Sequence, residues 1–235
     1  MMKIPSSMRC LAVAAAAALG LTATVQAGPT LTPTGYANGS ENFHVVVGSP
    51  ALNEDVAAGA FIGAQVGLLP GPGTILFWCY ELNQYFGFNN TYNDYVASTV
   101  TPPAAATALA ELFTEVGGPG AAIATTDNSA AFQLAVWEIK YDTGNGPYEL
   151  GSGNFQVTGG SATTISLAQG WLDHLAAFQP PKYDVTLLAS PSAQDFVTAT
   201  PTPLRSVPEP TPLPLFAAGL AALTVVLYRR SSTTL

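Results

Sequence analysis

Apolar and polar positions alternate in three early segments. "FHVVVG" at 43–48, "AFIGAQVGLL" at 60–69 and "TILFWCYEL" at 74–82 are rich in β-branched and aromatic residues and predict strands. In the third, a period of two puts Ile75, Phe77, Cys79 and Glu81 on one face and Leu76, Trp78, Tyr80 and Leu82 on the other. "PGPG" at 70–73 predicts a turn. Residues 28–42, rich in Pro, Gly, Thr and Asn, predict a loose lead-in, and 83–96 a loop or irregular strand pair. The period then lengthens. Pro102 and Pro103, the spaced Leu109, Leu112, Phe113 and Val116, and the stop at Gly117 predict one helix. "SAAFQLAVWEIKYD" at 129–142 predicts a second, capped by Asp127 or Asn128. A loop with a short strand at 146–160 and a helix at 161–178, interrupted at Gly170, follow. "KYDVTLLAS" and "AQDFVTATP" predict closing strands. Strands, then helices, then strands predict an α+β domain: an antiparallel β-sandwich or barrel with an inserted helical subdomain.

The two ends of the chain follow different rules. Lys3 and Arg9, the apolar run 10–25 and "VQA" at 25–27 have the order of a signal peptide, with cleavage expected between Ala27 and Gly28. At the other end, a Pro-rich linker (201–212) containing Val207, Pro208, Glu209 and Pro210 precedes an apolar segment. That segment and its basic pair, Arg229 and Arg230, span 213–230 and predict a C-terminal transmembrane helix with the pair on the cytoplasmic side. Pro-Glu-Pro, apolar helix and Arg cluster in this order resemble the PEP-CTERM sorting signal of Gram-negative bacteria. The resemblance implies processing by a membrane protease, exosortase, and transfer from the inner membrane to the cell surface or an extracellular, polysaccharide-rich biofilm matrix.

Between the signals lies one domain, 28–200, a size suited to a single core. From 28 to 206 three basic residues (Lys140, Lys182, Arg205) face fourteen acidic ones, the chain's fifteen less Glu209, for a net charge of about −11. That balance argues against nucleic acid and against anionic membrane surfaces as partners. No phosphate loop, nucleophile elbow, His-Glu-x-x-His or calcium loop is present, and two distant histidines with one cysteine form no metal-ligand set. Neither His44 nor His174 lies in a cysteine-protease signature. Neither a cofactor nor turnover catalysis is expected.

Two residues stand out against this background. Removal of the signal peptide takes Cys10 away, so Cys79 is the single cysteine left, and in an oxidising compartment it has no partner within the chain. On the helix 129–142, Gln133 falls near the centre of the apolar arc, with Ala130, Trp137 and Tyr141 to one side and Phe132, Val136 and Ile139 to the other. Glu138, Asp142 and Ala131 gather opposite, and Lys140 can snorkel from the arc. A buried carboxamide left unpaired costs roughly 1–3 kcal/mol. Two readings meet that cost. Gln133 is a core amide bonded to the backbone of a neighbouring strand or loop, or it condenses with Cys79 to an internal thioester, losing ammonia and storing an electrophile for an incoming amine or hydroxyl.

"CYEL" on a strand and "QLAVW" on a helix some fifty residues later resemble the thioester domains of bacterial surface adhesins. Gln133, Ala135, Val136 and Trp137 match the Gln-x-Ala-(Ile/Val)-Trp part of their signature, and Phe132 stands where the family has Thr. The resemblance covers roughly 74–180. It implies an adhesion module with Cys79 and Gln133 as the thioester pair, surrounded by Trp78, Tyr80 and Trp137. A rival reading rests on the loop 83–96. There Tyr85, Tyr92 and Tyr95 interleave with asparagines and are candidates for stacking on polysaccharide without any covalent bond.

Overall fold

The computed structural model describes residues 28–71, 73–144, 147–175 and 180–203. The expected signal peptide, sorting motif and apolar tail lie outside the described residues. Among those residues no helix is long and apolar enough to cross a membrane.

The class is mixed α+β with antiparallel sheets. The larger sheet contains β1 (Thr30–Tyr36), β4 (Phe61–Val66), β5 (Thr74–Cys79), β9 (Phe196–Pro201), β8 (Tyr183–Ala189) and β6 (Val96–Ser98), in that spatial order. The smaller contains β3 (Leu52–Ala58), β2 (Glu41–Val47) and β7 (Phe155–Gly159). Between the early and closing strands come α1 (Pro103–Val116), the short α2 (Pro119–Ala122), α3 (Thr126–Asp142) and α4 (Ala162–Leu172).

The strongly patterned segments form where expected, and three strands appear where none was. β1 occupies the supposed lead-in. It pairs with β4 across a register shift between Pro33 and Gly35, at the sheet edge, where a missing N–H is tolerated. β3 is polar and largely exposed, so it lacks the apolar alternation that betrays a strand. β6 is three exposed residues held by β8.

α1 ends as its sequence demands: Gly117 takes φ 92°, and its N–H donates to the Thr114 carbonyl at 3.2 Å. α3 starts earlier than expected. Thr125 is the N-cap, its hydroxyl accepting from the Asn128 N–H at 3.0 Å, and Asp127 lies in the first turn, where the helix dipole favours it. α4 runs through Gly170 without a break.

The main correction concerns α3. Besides packing on its fellow helices α1, α2 and α4, it packs against β5 of the larger sheet and β2, β3 and β7 of the smaller. Every residue from Ser129 to Ile139 is buried, including Glu138 on the side expected to face water. A helix enclosed on all sides has no polar face to present, so its polar side chains must find partners inside. The rings form two groups on either side of β5. Phe77 meets Phe196 at 4.7 Å and Phe61 at 5.9 Å on one face. On the other, Trp78 meets Phe132 at 4.8 Å, and Phe113 meets Phe132 at 4.7 Å.

Candidate functional site

The site begins where a β-ladder stops. β4 pairs with β5 only as far as Phe61 opposite Phe77. On the β9 side the ladder continues, with Trp78 opposite Val197, Cys79 opposite Phe196, and the Tyr80 N–H donating to the Asp195 carbonyl. On the β4 side the Cys79 N–H and C=O have no strand to meet. α3 supplies the missing partner. The Cys79 N–H donates to Gln133 Oε1 at 2.9 Å, and Gln133 Nε2 donates to the Cys79 carbonyl at 2.8 Å. The carboxamide stands in for a strand residue, and neither its donor nor its acceptor is left orphaned although the Gln133 side chain has no solvent exposure.

Neighbouring turns of the same helix repeat the device. Ser129 Oγ accepts from the Ala60 N–H at 2.7 Å, and the Tyr141 hydroxyl accepts from the Leu82 N–H at 2.9 Å. Ser129, Gln133, Trp137 and Tyr141 are spaced by four and line one helix face. Three of them pin backbone at the ends of β4 and β5, and Trp137 lies between Gln133 and Tyr141.

Cys79 is a free, buried thiol. It borders an open cavity of about 320 Å³ whose wall includes Phe61, Phe88, Trp137, Glu54 and Glu81. Burial pushes its pKa well above the ordinary thiol value, and the charge of Glu81 adds to the shift. The thiol is therefore protonated near neutral pH, inert unless something takes its proton. The Glu81 pKa is itself raised by burial; the hydrogen bond from the Asp195 N–H opposes that shift, the Asp195 charge adds to it and Lys140 opposes it.

The expected surroundings divide by face. Trp137 shares the cavity with Cys79. Trp78 points into the ring cluster of α1 and α3, with its indole N–H unpartnered among the described residues. Tyr80 donates its hydroxyl to the Thr101 carbonyl at 3.1 Å, lies under the Lys140 ammonium at 4.5 Å, and has its pKa pushed up to about 12 by burial. The snorkelling expected of Lys140 thus ends on a ring.

The three candidate stacking tyrosines are not equivalent. Tyr85 is 77% exposed and borders the Cys79 cavity. Tyr92 is half-buried, its hydroxyl accepting from the Gly87 N–H. Tyr95 is core: 1% exposed, stacked on Phe196, with its hydroxyl donating to the Gln194 carbonyl at 2.6 Å. A ring so enclosed offers no face to a glycan, which corrects the expectation for Tyr95.

The two histidines have carboxylate partners. His44 is bonded to Asp55 at 2.7 Å across β2 and β3, and that carboxylate raises its pKa. His174 lies at the surface, 3.5 Å from Glu115. Among the described residues no group of three His, Cys, Asp or Glu is placed to hold a metal ion.

Sequence reasoning missed a second buried cluster. Asp142 accepts from the Asn154 N–H at 2.7 Å and the Phe155 N–H at 2.6 Å, and Glu138 Oε1 accepts from the Glu149 N–H at 2.7 Å. Glu138 Oε2 has no partner among the described residues, and burial, then the charge of Asp142, pushes the Glu138 pKa up to about 8. The available signal was the i, i+4 pair of carboxylates on a helix followed by a Gly-rich loop, whose N–H groups need acceptors.

Val207, Pro208, Glu209, Pro210, Arg229 and Arg230 lie outside the described residues. No family of known proteins matches the chain by sequence, and no curated protein matches it. Among solved structures, the fold resembles that of the N-terminal domain of the Streptococcus pyogenes pilus tip adhesin Cpa. That alignment has a TM-score of 0.41 at 12% identity and covers 77% of this chain and 97% of that one.

Proposed function

We propose that this chain is an exported surface or matrix protein, released from its membrane tail by exosortase, that attaches itself covalently through an internal thioester between Cys79 and Gln133. The observation that supports the reading is the carboxamide of Gln133 clasped by the main chain of Cys79, the residue whose thiol would attack it. Oε1 already accepts from an N–H at 2.9 Å, so the oxyanion of a tetrahedral intermediate has its donor in place.

The chemistry balances without a cofactor. The thiol loses its proton, sulfur attacks the Gln133 side-chain carbonyl carbon, the C–N bond breaks, and nitrogen takes the proton and leaves as ammonia. Later an amine or hydroxyl on a target surface attacks the same carbon. The C–S bond breaks, the thiol re-forms, and the protein is joined to its target through Gln133. Such a protein acts once and does not turn over.

Intact mass spectrometry of the exported protein tests this. The expected mass is one ammonia below that of the mature sequence, and methylamine adds to the protein with release of a thiol. A full-sequence mass with an immediately titrating Cys79 thiol refutes it. A second reading, non-covalent polysaccharide binding, draws on Tyr85 and Phe88, rings exposed beside the same cavity.

A further inference from the structure

We infer that Glu81 is the proton-transfer residue of this site, carrying a proton between the sulfur of Cys79 and the nitrogen that leaves or attacks the Gln133 carbonyl. The inference rests on the thioester reading and deepens it. Its basis is placement. Glu81 lies two residues beyond Cys79, just past the end of β5, both residues border the one cavity, and the Glu81 charge acts on the Cys79 thiol.

The other groups around the cavity are less suited. Glu54 and Asp55 come from β3 on the opposite wall and are exposed, and Asp55 is engaged by His44. Tyr36 of β1 also borders the cavity, but burial raises its pKa, so it holds its proton too firmly to serve as a base; nearby, the hydroxyls of Tyr80 and Tyr141 bond backbone partners. Glu81 has one long contact, 3.4 Å from the Asp195 N–H, and is half-buried.

The need for such a residue comes from the thiol. Burial favours its neutral form, so sulfur is a poor nucleophile while it keeps its proton and a poor leaving group without one. During bond formation the Glu81 carboxylate takes the thiol proton, sulfur attacks the Gln133 carbonyl carbon, and Glu81 delivers the proton to the departing nitrogen, which leaves as ammonia. During attachment the carboxylate takes a proton from the incoming amine. The amine attacks, the C–S bond breaks, and Glu81 returns the proton to sulfur, regenerating the thiol. Each cycle leaves the carboxylate as it began. The groups around Glu81 are Asp195 before β9, Lys140 and Tyr141 of α3, Cys79 at the end of β5, Tyr36 of β1, Tyr85, and Glu54 and Asp55 of β3. Burial raises its pKa, against the opposing hydrogen bond from the Asp195 N–H, which brings it closer to the range useful for proton transfer near neutrality.

The test uses the exported full-length protein, with wild type, Glu81→Gln and Glu81→Asp compared by intact mass and by the rate of methylamine addition across pH. In the ratio of wild-type to variant rates the titration of methylamine cancels. Loss of general acid–base help predicts a rate roughly 100-fold lower for Glu81→Gln, with the ratio falling towards one as acid protonates Glu81 in the wild type. Glu81→Asp restores part of the rate. A folded Glu81→Gln protein of full mass, with the ammonia deficit recovered in Glu81→Asp, supports the role at the formation step. A Glu81→Gln protein that carries the deficit and reacts at the wild-type rate overturns the assignment while leaving the thioester standing. Failure of Glu81→Asp to recover any reactivity also overturns it. A wild-type protein of full mass removes the thioester and the assignment together.

Discussion

Replacing Glu138 with Gln should flatten the dependence of stability on pH. Glu138 has no solvent exposure, one oxygen accepts from the Glu149 N–H, and the other has no partner among the described residues. Its pKa stands near 8 in the fold against an ordinary value of 4.5. Between those values the folded chain holds a proton that the unfolded chain gives up. Stability from this group is therefore complete below the ordinary glutamate range and is lost as pH rises towards 8. Linkage sets the slope at about 1.4 kcal/mol per pH unit for one proton, so raising the pH from about 5.5 to 7.5 removes roughly 2–3 kcal/mol. Glutamine has the shape of the protonated acid, keeps the acceptor for Glu149, and does not titrate. Urea denaturation of wild type and Glu138→Gln at half-unit pH steps measures the difference. With ordinary urea m-values, the wild-type midpoint should fall by roughly 1–2 M over that range while the variant's moves much less. Equal slopes for the two proteins would refute the reasoning, because the titrating group would then lie elsewhere.

Asp142→Ala orphans the N–H groups of Asn154 and Phe155 and should cost about 2–4 kcal/mol, with faster hydrogen exchange at those two amides; a loss under about 1 kcal/mol would show that water replaces the carboxylate. Tyr95→Ala should cost about 3–5 kcal/mol as a large core truncation, whereas Tyr85→Ala should stay within about 0.5 kcal/mol. In a polysaccharide pull-down, the non-covalent reading expects Tyr85→Ala to lose binding, and retention unchanged by that substitution counts against it.

The sequence carried β4 through its alternation of buried and exposed residues, and β5 through its dense run of β-branched and aromatic residues. It carried α1 through its prolines and its terminal glycine. It did not carry β1, because Pro33 and Gly35 disguise an edge strand with a bulge. Nor did it carry β3, whose side chains face water and whose existence depends on β2 beside it. Helical periodicity placed Gln133 inside but placed Glu138 and Asp142 outside. A helical wheel assumes one wet face, and tertiary enclosure removed it. Cys79 and Gln133 could be paired from chemistry alone, as two polar groups stranded in apolar surroundings. That the carboxamide would grip the backbone of Cys79 depended on where β4 stops pairing, which no local pattern encodes. Glu81 was visible by alternation with Cys79, but its significance appears only with the shared cavity.

The order of strands in the larger sheet has a mechanical consequence. β5, which carries Cys79, is bonded directly to β9, the last strand among the described residues. A protein held at Gln133 and pulled through its C-terminal side takes the load along β9. β9 is antiparallel to both β8 and β5, so the hydrogen bonds on its two sides resist together in shear and do not open one by one. Were the proposed attachment at Gln133 made, force from the C-terminal side would cross a single strand-to-strand boundary and the Gln133 clasp.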